Sequence, residues 1–168
     1  PSKPVSLLNN LLIDGDVELS TSDSKVRFNG DGYTLVSKVV DGTYPDYTRV
    51  IPTSSKTTAT LSAKELSQAA TLVAAVSDEK TRVVKMEMVD DHCTLSVSSG
   101  AGMATDEIAC DLTGESVTTA YNAKYIAAVM SVAEAGEVTI GLNSAMDPCL
   151  ITYAEKPGLR CVAMPIRV

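Results

Sequence analysis

Apolar residues recur along this chain in two kinds of pattern that alternate in a fixed order. Two segments each place four apolar residues at the i, i+3, i+4, i+7 spacing of an amphipathic helix. These residues are Leu66, Ala69, Ala70 and Val73 in one segment and Ile126, Val129, Met130 and Ala133 in the other. A third segment, with Val5, Leu8 and Leu12, follows the spacing less cleanly because Asn9 interrupts the stripe. The pattern predicts three helices.

Each predicted helix is followed by three β-rich runs that turn residues separate. These runs are 17–20, 25–29 and 33–40 after the first helix, 83–89, 93–98 and 105–111 after the second, and 138–142, 150–153 and 159–164 after the third. One further run precedes the second helix (58–61) and the third (117–121). The sequence therefore predicts an α+β fold built from a repeated unit of strand, helix and three strands.

The repeat is also visible at the start of each helix, where three short segments align without gaps. Each segment carries a lysine at the same place, namely Lys3, Lys64 and Lys124. Ser62 and Asn122 stand just before the second and third helices, where N-cap residues belong. A lysine at a helix start opposes the helix dipole, so the three either serve a common purpose or are simply solvated.

The repeat also predicts the domain organisation. A single unit exposes one apolar sheet face and one helical stripe, so two units must pack together to form a core. Residues 58–168 contain two complete units, and we expect them to form one domain. Residues 1–52 contain a helix and three strands but no leading strand, so we expect the second half of a truncated domain, joined through a linker at 53–57.

Composition and charge narrow the possible functions. The chain has 168 residues and a formal net charge of −7, which argues against a protein that grips DNA through a broad basic face. The hydrophobic content of 45% is ordinary for a globular chain. No apolar run approaches the roughly 20 residues that a membrane-spanning helix needs.

Candidate chemistry is sparse. The four cysteines, Cys93, Cys110, Cys149 and Cys161, form no C-x-x-C pair. We interpret them as free thiols in a reducing cytoplasm. The alternative is a metal site, which would need supporting ligands beyond the single histidine of the chain. That histidine, His92, ends an Asp-Asp-His segment that we interpret as a solvated turn, and no phosphate-binding motif is present. We expect no catalytic residues, no metal, no cofactor and no enzymatic activity.

Two motifs carry a specific resemblance. Residues 41–52 read DGTYPDYTRVIP, and the chain ends in CVAMPIRV at 161–168. Between them, the segments 77–82 and 121–125 follow in the matching order. These motifs resemble those of bacterial DNA polymerase III beta subunits, the sliding clamps. The resemblance extends along the whole chain, which corresponds to the second half of such a subunit. The resemblance implies a DNA-clamp fold, with helices on one side of antiparallel sheets.

The resemblance also implies a function. Two full-length subunits of such a clamp join head to tail as a homodimer and encircle duplex DNA without reading its sequence. The ring acts in DNA replication as a cytoplasmic processivity factor. It docks DNA polymerase, clamp loader and repair proteins through short linear motifs such as Gln-x-x-Leu-Phe, in a pocket between the middle and last domains.

The resemblance assigns roles to three sets of residues in this chain. The partner-peptide pocket would include Pro45, Arg49, Val50, Asn122, Tyr125, Met146, Pro148, Val162, Ala163, Met164, Pro165, Ile166 and Arg167. The lysines at the helix starts, Lys3, Lys64 and Lys124, would face the DNA. The subunit interface would include Ala75, Val76, Asp106 and Glu107.

The same residues also have plainer interpretations. Val162 and Met164 suit an ordinary core strand, Pro45 a turn, and Arg49 a solvated surface. A peptide-binding adaptor of similar repeat architecture, without a DNA role, is the competing class of protein. An enzyme is a third class, but it would need a catalytic constellation that one histidine hardly permits.

Overall fold

The chain, in a computed structural model, divides into two units, Pro1–Pro45 and Asp46–Val168. The structure describes residues 2–11, 16–78, 81–133 and 136–167. Four residues named above lie outside these ranges: Leu12 of the first stripe, Glu79 and Lys80 of the 77–82 motif, and the terminal Val168.

The first unit consists of one helix and one antiparallel sheet, as the sequence predicts. Helix α1 (Ser2–Leu11) precedes strands β1 (Glu18–Thr21), β2 (Lys25–Gly30) and β3 (Tyr33–Lys38), which lie in the order β1-β2-β3. The turn between β2 and β3 needs Gly32, whose φ of 76° falls in the left-handed region that glycine favours. The third strand is two residues shorter than predicted.

The first unit buries little of its apolar surface. None of its described residues falls in the buried class, and Val5 on α1 is 65% exposed. Leu19 on β1 is exposed as well. A unit of about this size is marginally stable at best on its own, so its exposed apolar residues are suited to packing against further structure.

The second unit contains the two complete repeats. A short 3-10 helix (Tyr47–Val50) comes first. The first repeat comprises β4 (Thr57–Ser62), α2 (Ala63–Val73), β5 (Val83–Val89), β6 (His92–Ser99) and β7 (Gly102–Ala109). The short strand β8 (Asp111–Thr113) follows. The second repeat comprises β9 (Val117–Asn122), α3 (Ala123–Met130), β10 (Glu137–Leu142), β11 (Cys149–Tyr153) and β12 (Arg160–Ala163).

The two repeats exchange their leading strands. Over the described residues, the strands form one sheet in the order β12-β11-β10-β4-β8 and another in the order β7-β6-β5-β9. Strand β4 of the first repeat pairs with β10 of the second, and β9 of the second pairs with β5 of the first. Each sheet therefore contains strands from both repeats, which explains why a single repeat cannot fold alone.

One core lies between the two sheets and the helices. Buried residues alternate along the strands, as in β4 and β11. The predicted stripe of α2 is buried throughout, and α2 packs against α3. Both predicted N-caps are confirmed. The Ser62 hydroxyl accepts the Glu65 N–H at 3.3 Å, and the Asn122 side-chain oxygen accepts the Lys124 N–H at 2.9 Å.

Two local predictions are wrong. His92 is not in a turn, because the turn ends at Asp91 and His92 begins β6. The Asp91 carboxylate lies 3.2 Å from the His92 ring, and their hydrogen bond raises the pKa of His92. The predicted run at 105–111 is in fact divided. Its first part belongs to β7, Cys110 interrupts it, and Asp111 begins β8 in the other sheet.

Candidate functional site: an apolar cavity beside the C-terminal strand

A largely apolar cavity of about 330 Å³ opens on the second unit. Residues of α2, α3, β12 and other strands of both sheets line it. The lining consists of Leu66, Met86, Tyr121, Tyr125, Ile126, Ala128, Val129, Met130, Ile140, Cys149, Ile151, Val162, Ala163 and Met164. A concave, mainly apolar site at the lower end of the range of about 300–1,000 Å³ is typical of ligand-binding pockets.

Two large side chains stand exposed among this lining. Tyr125 on α3 is 70% exposed, and Met164, just after β12, is 64% exposed. Exposed aromatic and methionine side chains that line an apolar cavity are suited to contact with a partner, since both bury large areas and methionine adapts its shape. They belong to two parts of the lining, which we call its two walls: Tyr125 lies on α3, and Met164 lies in the C-terminal segment with β12.

Tyr121 and Cys149 line the deep part of the cavity, where both are buried. The Tyr121 hydroxyl makes no regular hydrogen bond, and burial beside the Cys149 thiol raises the pKa of Tyr121. Burial also raises the pKa of Cys149. Both groups therefore stay protonated near neutral pH, and the cavity carries no charge at its base.

The C-terminal segment connects the two sheets. Strand β12 forms the edge of the five-stranded sheet, next to β11, and the chain then leaves it. The N–H of Ile166 donates to the carbonyl of Ala120 at 2.8 Å, on edge strand β9 of the other sheet. Met164 lies between these two attachments, so its backbone is held at the cavity wall.

Four of the thirteen residues predicted for the peptide pocket line the cavity, namely Tyr125, Val162, Ala163 and Met164. Asn122 is the N-cap of α3, and its side-chain amide donates to the carbonyl of Thr81 at 2.9 Å. The structure places the remaining predicted residues outside the lining. They are Pro45, Arg49, Val50, Asn122, Met146, Pro148, Pro165, Ile166 and Arg167.

Apart from Asn122, these remaining residues occupy four places. Met146 and Pro148 lie in the loop before β11, Pro165 and Arg167 flank Ile166 in the C-terminal segment, and Pro45 lies at the end of the first unit. Arg49 and Val50 belong to the 3-10 helix. The guanidinium of Arg49 lies 3.3 Å from the Asp46 carboxylate, and both side chains are exposed.

The other two predicted sets are placed as follows. Lys3, Lys64 and Lys124 each occupy the second position of a helix, and all three are exposed. Asp106 and Glu107 lie on β7, the edge strand of the four-stranded sheet. Ala75 and Val76 lie in the short helical turn that follows α2 and contacts β7.

Within the described residues, no group of three or more His, Cys, Asp or Glu side chains is arranged to hold a metal ion. All four cysteines are free, as predicted, and three of them are buried. None of the described helices is long and apolar enough to cross a membrane.

Sequence reasoning missed the deep lining of the cavity. Ile140, Cys149 and Ile151 are inward-facing strand residues, and Leu66 and Met130 belong to the helical stripes. Nothing in their spacing distinguishes them from ordinary core residues. These residues line a cavity because of how α3 and β12 pack in the folded chain, which their spacing in the sequence does not reveal.

Comparison with known proteins gives three concordant results. Residues 48–167 match the family described as "DNA polymerase III beta subunit, C-terminal domain". The chain is 35% identical over 153 residues to the beta sliding clamp of Caulobacter vibrioides, covering 90% of this chain and 41% of that protein. A sliding clamp from Bartonella birtlesii, solved bound to griselimycin, superposes with a TM-score of 0.90 at 32% identity, covering 100% of this chain and 46% of that one.

A second solved structure agrees. The beta sliding clamp of C. crescentus, solved with PEG bound, has a TM-score of 0.90 at 33% identity and covers 100% of this chain and 46% of that one. The interlocked repeats and their two sheets are thus those of a sliding clamp, which confirms the α+β clamp fold predicted above. The chain belongs to the DNA polymerase III beta subunit family. It spans slightly less than half the length of these relatives.

Proposed function

We propose that this chain is part of a DNA polymerase processivity clamp that encloses duplex DNA and docks partner proteins through the apolar cavity. Family membership supports the clamp role, and the cavity carries the docking role. In this proposal residues 58–168 are the complete last domain, residues 53–57 the linker, and residues 1–52 the second half of the middle domain. The poorly buried apolar face of the first unit supports that division.

The charge of the chain favours enclosure over electrostatic gripping. Affinity for DNA through phosphate contacts scales with the number of phosphates neutralised, and a chain of net charge −7 neutralises few. In our proposal Lys3, Lys64 and Lys124 line the hole, and the ring holds DNA topologically. The proposed ring is a homodimer of full-length subunits, with Ala75, Val76, Asp106 and Glu107 at one side of its interface.

The cavity is the proposed docking site for a partner peptide of the Gln-x-x-Leu-Phe type. Its volume and apolar lining suit the two terminal apolar side chains, with Tyr125 and Met164 covering them. Arg49 and Asn122, which lie outside the lining, would orient the polar part of the peptide. The griselimycin-bound clamps of B. birtlesii and Pseudomonas aeruginosa support ligand binding in this family.

The clamp role is tested with the full-length parent of this chain. We expect it, once loaded, to stay on nicked circular DNA during gel filtration and to be lost when the DNA is cut once. Retention on neither form, combined with peptide binding, would favour the peptide-binding adaptor instead. Equal retention on linear and circular DNA would contradict enclosure.

A further inference from the structure

The hydroxyl of Tyr153 joins the two walls of the cavity. It donates to the carbonyl of Val129 on α3 at 3.0 Å, and the Cys161 sulfur on β12 lies 3.2 Å from it. Tyr153 is only 3% exposed and extends from β11 on the same face as Ile151, which lines the cavity. This side-chain hydroxyl therefore connects α3 with β12.

Both contacts fall on the cavity lining or directly beside it. Val129 lines the cavity, and Cys161 immediately precedes the lining residue Val162. A second tie comes from the loop between β11 and β12 and reaches the short 3-10 turn after α3 (Ser131–Ala133), where the Lys156 ammonium donates to the carbonyl of Val132 at 2.8 Å. Hydrogen bonds therefore connect α3 and the turn after it with the β11–β12 hairpin at this end of the cavity.

The opposite end of the cavity has its own tie. There the Ile166 N–H bonds Ala120, shortly before α3 begins. The cavity thus lies between two attachments, one near each end of α3. The bond at Ile166 joins two backbone groups, whereas the tie at Tyr153 depends on a side chain that can be changed without altering the backbone.

We propose that Tyr153 is a positioning residue that sets the width of the cavity and so limits the size of the apolar side chain it accepts. This inference rests on the proposed peptide-docking function and names its specificity determinant. The hydroxyl is the only atom that Tyr153→Phe removes, and the ring keeps its core packing. The Val129 carbonyl also accepts the N–H of Ser131, so the substitution does not leave it unpaired.

The test compares two peptides on four proteins. The peptides are Gln-Ala-Ala-Leu-Phe and its counterpart ending in the larger tryptophan. The proteins are the wild-type chain, Tyr153→Phe, Cys161→Ala, and the matched control Tyr33→Phe, which removes a buried hydroxyl without a hydrogen-bond partner in the first unit. Dissociation constants come from fluorescence anisotropy, and thermal denaturation checks folding.

The informative quantity is the ratio of the two dissociation constants. We expect wild type to bind the phenylalanine peptide more tightly than the tryptophan peptide. In Tyr153→Phe this preference should fall by a factor of about three to ten, the range that one or two hydrogen bonds supply. Cys161→Ala should shift the ratio in the same direction by less, and Tyr33→Phe should leave it unchanged. A general loss of protein stability would weaken the binding of both peptides equally and leave the ratio of their dissociation constants unchanged.

The outcomes separate the two proposals. If wild type binds neither peptide, the docking function fails and this inference fails with it. If wild type binds but Tyr153→Phe leaves the ratio unchanged, the docking site stands and the role of Tyr153 is refuted.

Discussion

Met164 offers the most direct test of the docking site, because its contribution can be worked from its exposure. Burying a whole methionine side chain contributes about 1.5–3 kcal/mol. Since Met164 is 64% exposed in the free chain, a bound peptide can cover at most about two-thirds of that surface. Met164→Ala should therefore weaken peptide binding by about 1–2 kcal/mol, which is roughly a five- to thirtyfold rise in Kd.

The assay is fluorescence anisotropy with a labelled Gln-x-x-Leu-Phe peptide. Met103→Ala is the matched control, since Met103 is 76% exposed on edge strand β7 and does not line the cavity. It should bind like wild type. Removing residues 164–168 also removes the Ile166 bond to Ala120 and should abolish binding. Wild-type affinity in both Met164→Ala and the deletion would refute the assignment of the pocket to this cavity.

Three further predictions concern the core, the thiols and DNA. Leu66→Ala should lower the free energy of unfolding by about 2–5 kcal/mol in urea denaturation, whereas the exposed Leu72→Ala on the same helix should change it by less than about 0.5 kcal/mol. Cys161, the one described cysteine that is not buried, should react first with a thiol reagent at pH 8. Cys149 should react slowly there, because burial raises its pKa and keeps the thiol protonated. Mass spectrometry of samples quenched at successive times would test this order, and modification of Cys149 before Cys161 would contradict it. The isolated chain should bind linear duplex no tighter than about 10⁻⁶ M at physiological salt, and nanomolar binding in a gel-shift assay would contradict enclosure as the means of holding DNA.

Local patterns determined much of this structure. The stripe of α2 is buried because its spacing matches the helical period, and Ser62 and Asn122 cap their helices because their side chains reach the first free N–H groups. The limits of the strands are close to those predicted, since alternation and turn residues are local signals. The family was also recognisable, because its motifs are contiguous stretches of sequence.

Other features depend on which elements meet. The exchange of β4 and β9 between sheets is invisible to a repeat alignment, which assigns each strand to its own unit. The division of 105–111 between two sheets also depends on strand pairing. Residues before Cys110 pair with β6 in one sheet, and residues after it pair with β4 in the other.

The candidate site shows the same division. The resemblance led to Tyr125 and to 162–164, which are near in sequence to recognisable motifs. Cys149 lines the cavity, and Tyr153 connects its walls, because of the hydrogen-bonded register between β11 and β12 and the contact of Tyr153 with α3. Such contacts arise from the packing of several elements at once, so the sequence determined the fold and its family, and the tertiary structure alone decided where the cavity lies and which side chains connect its walls.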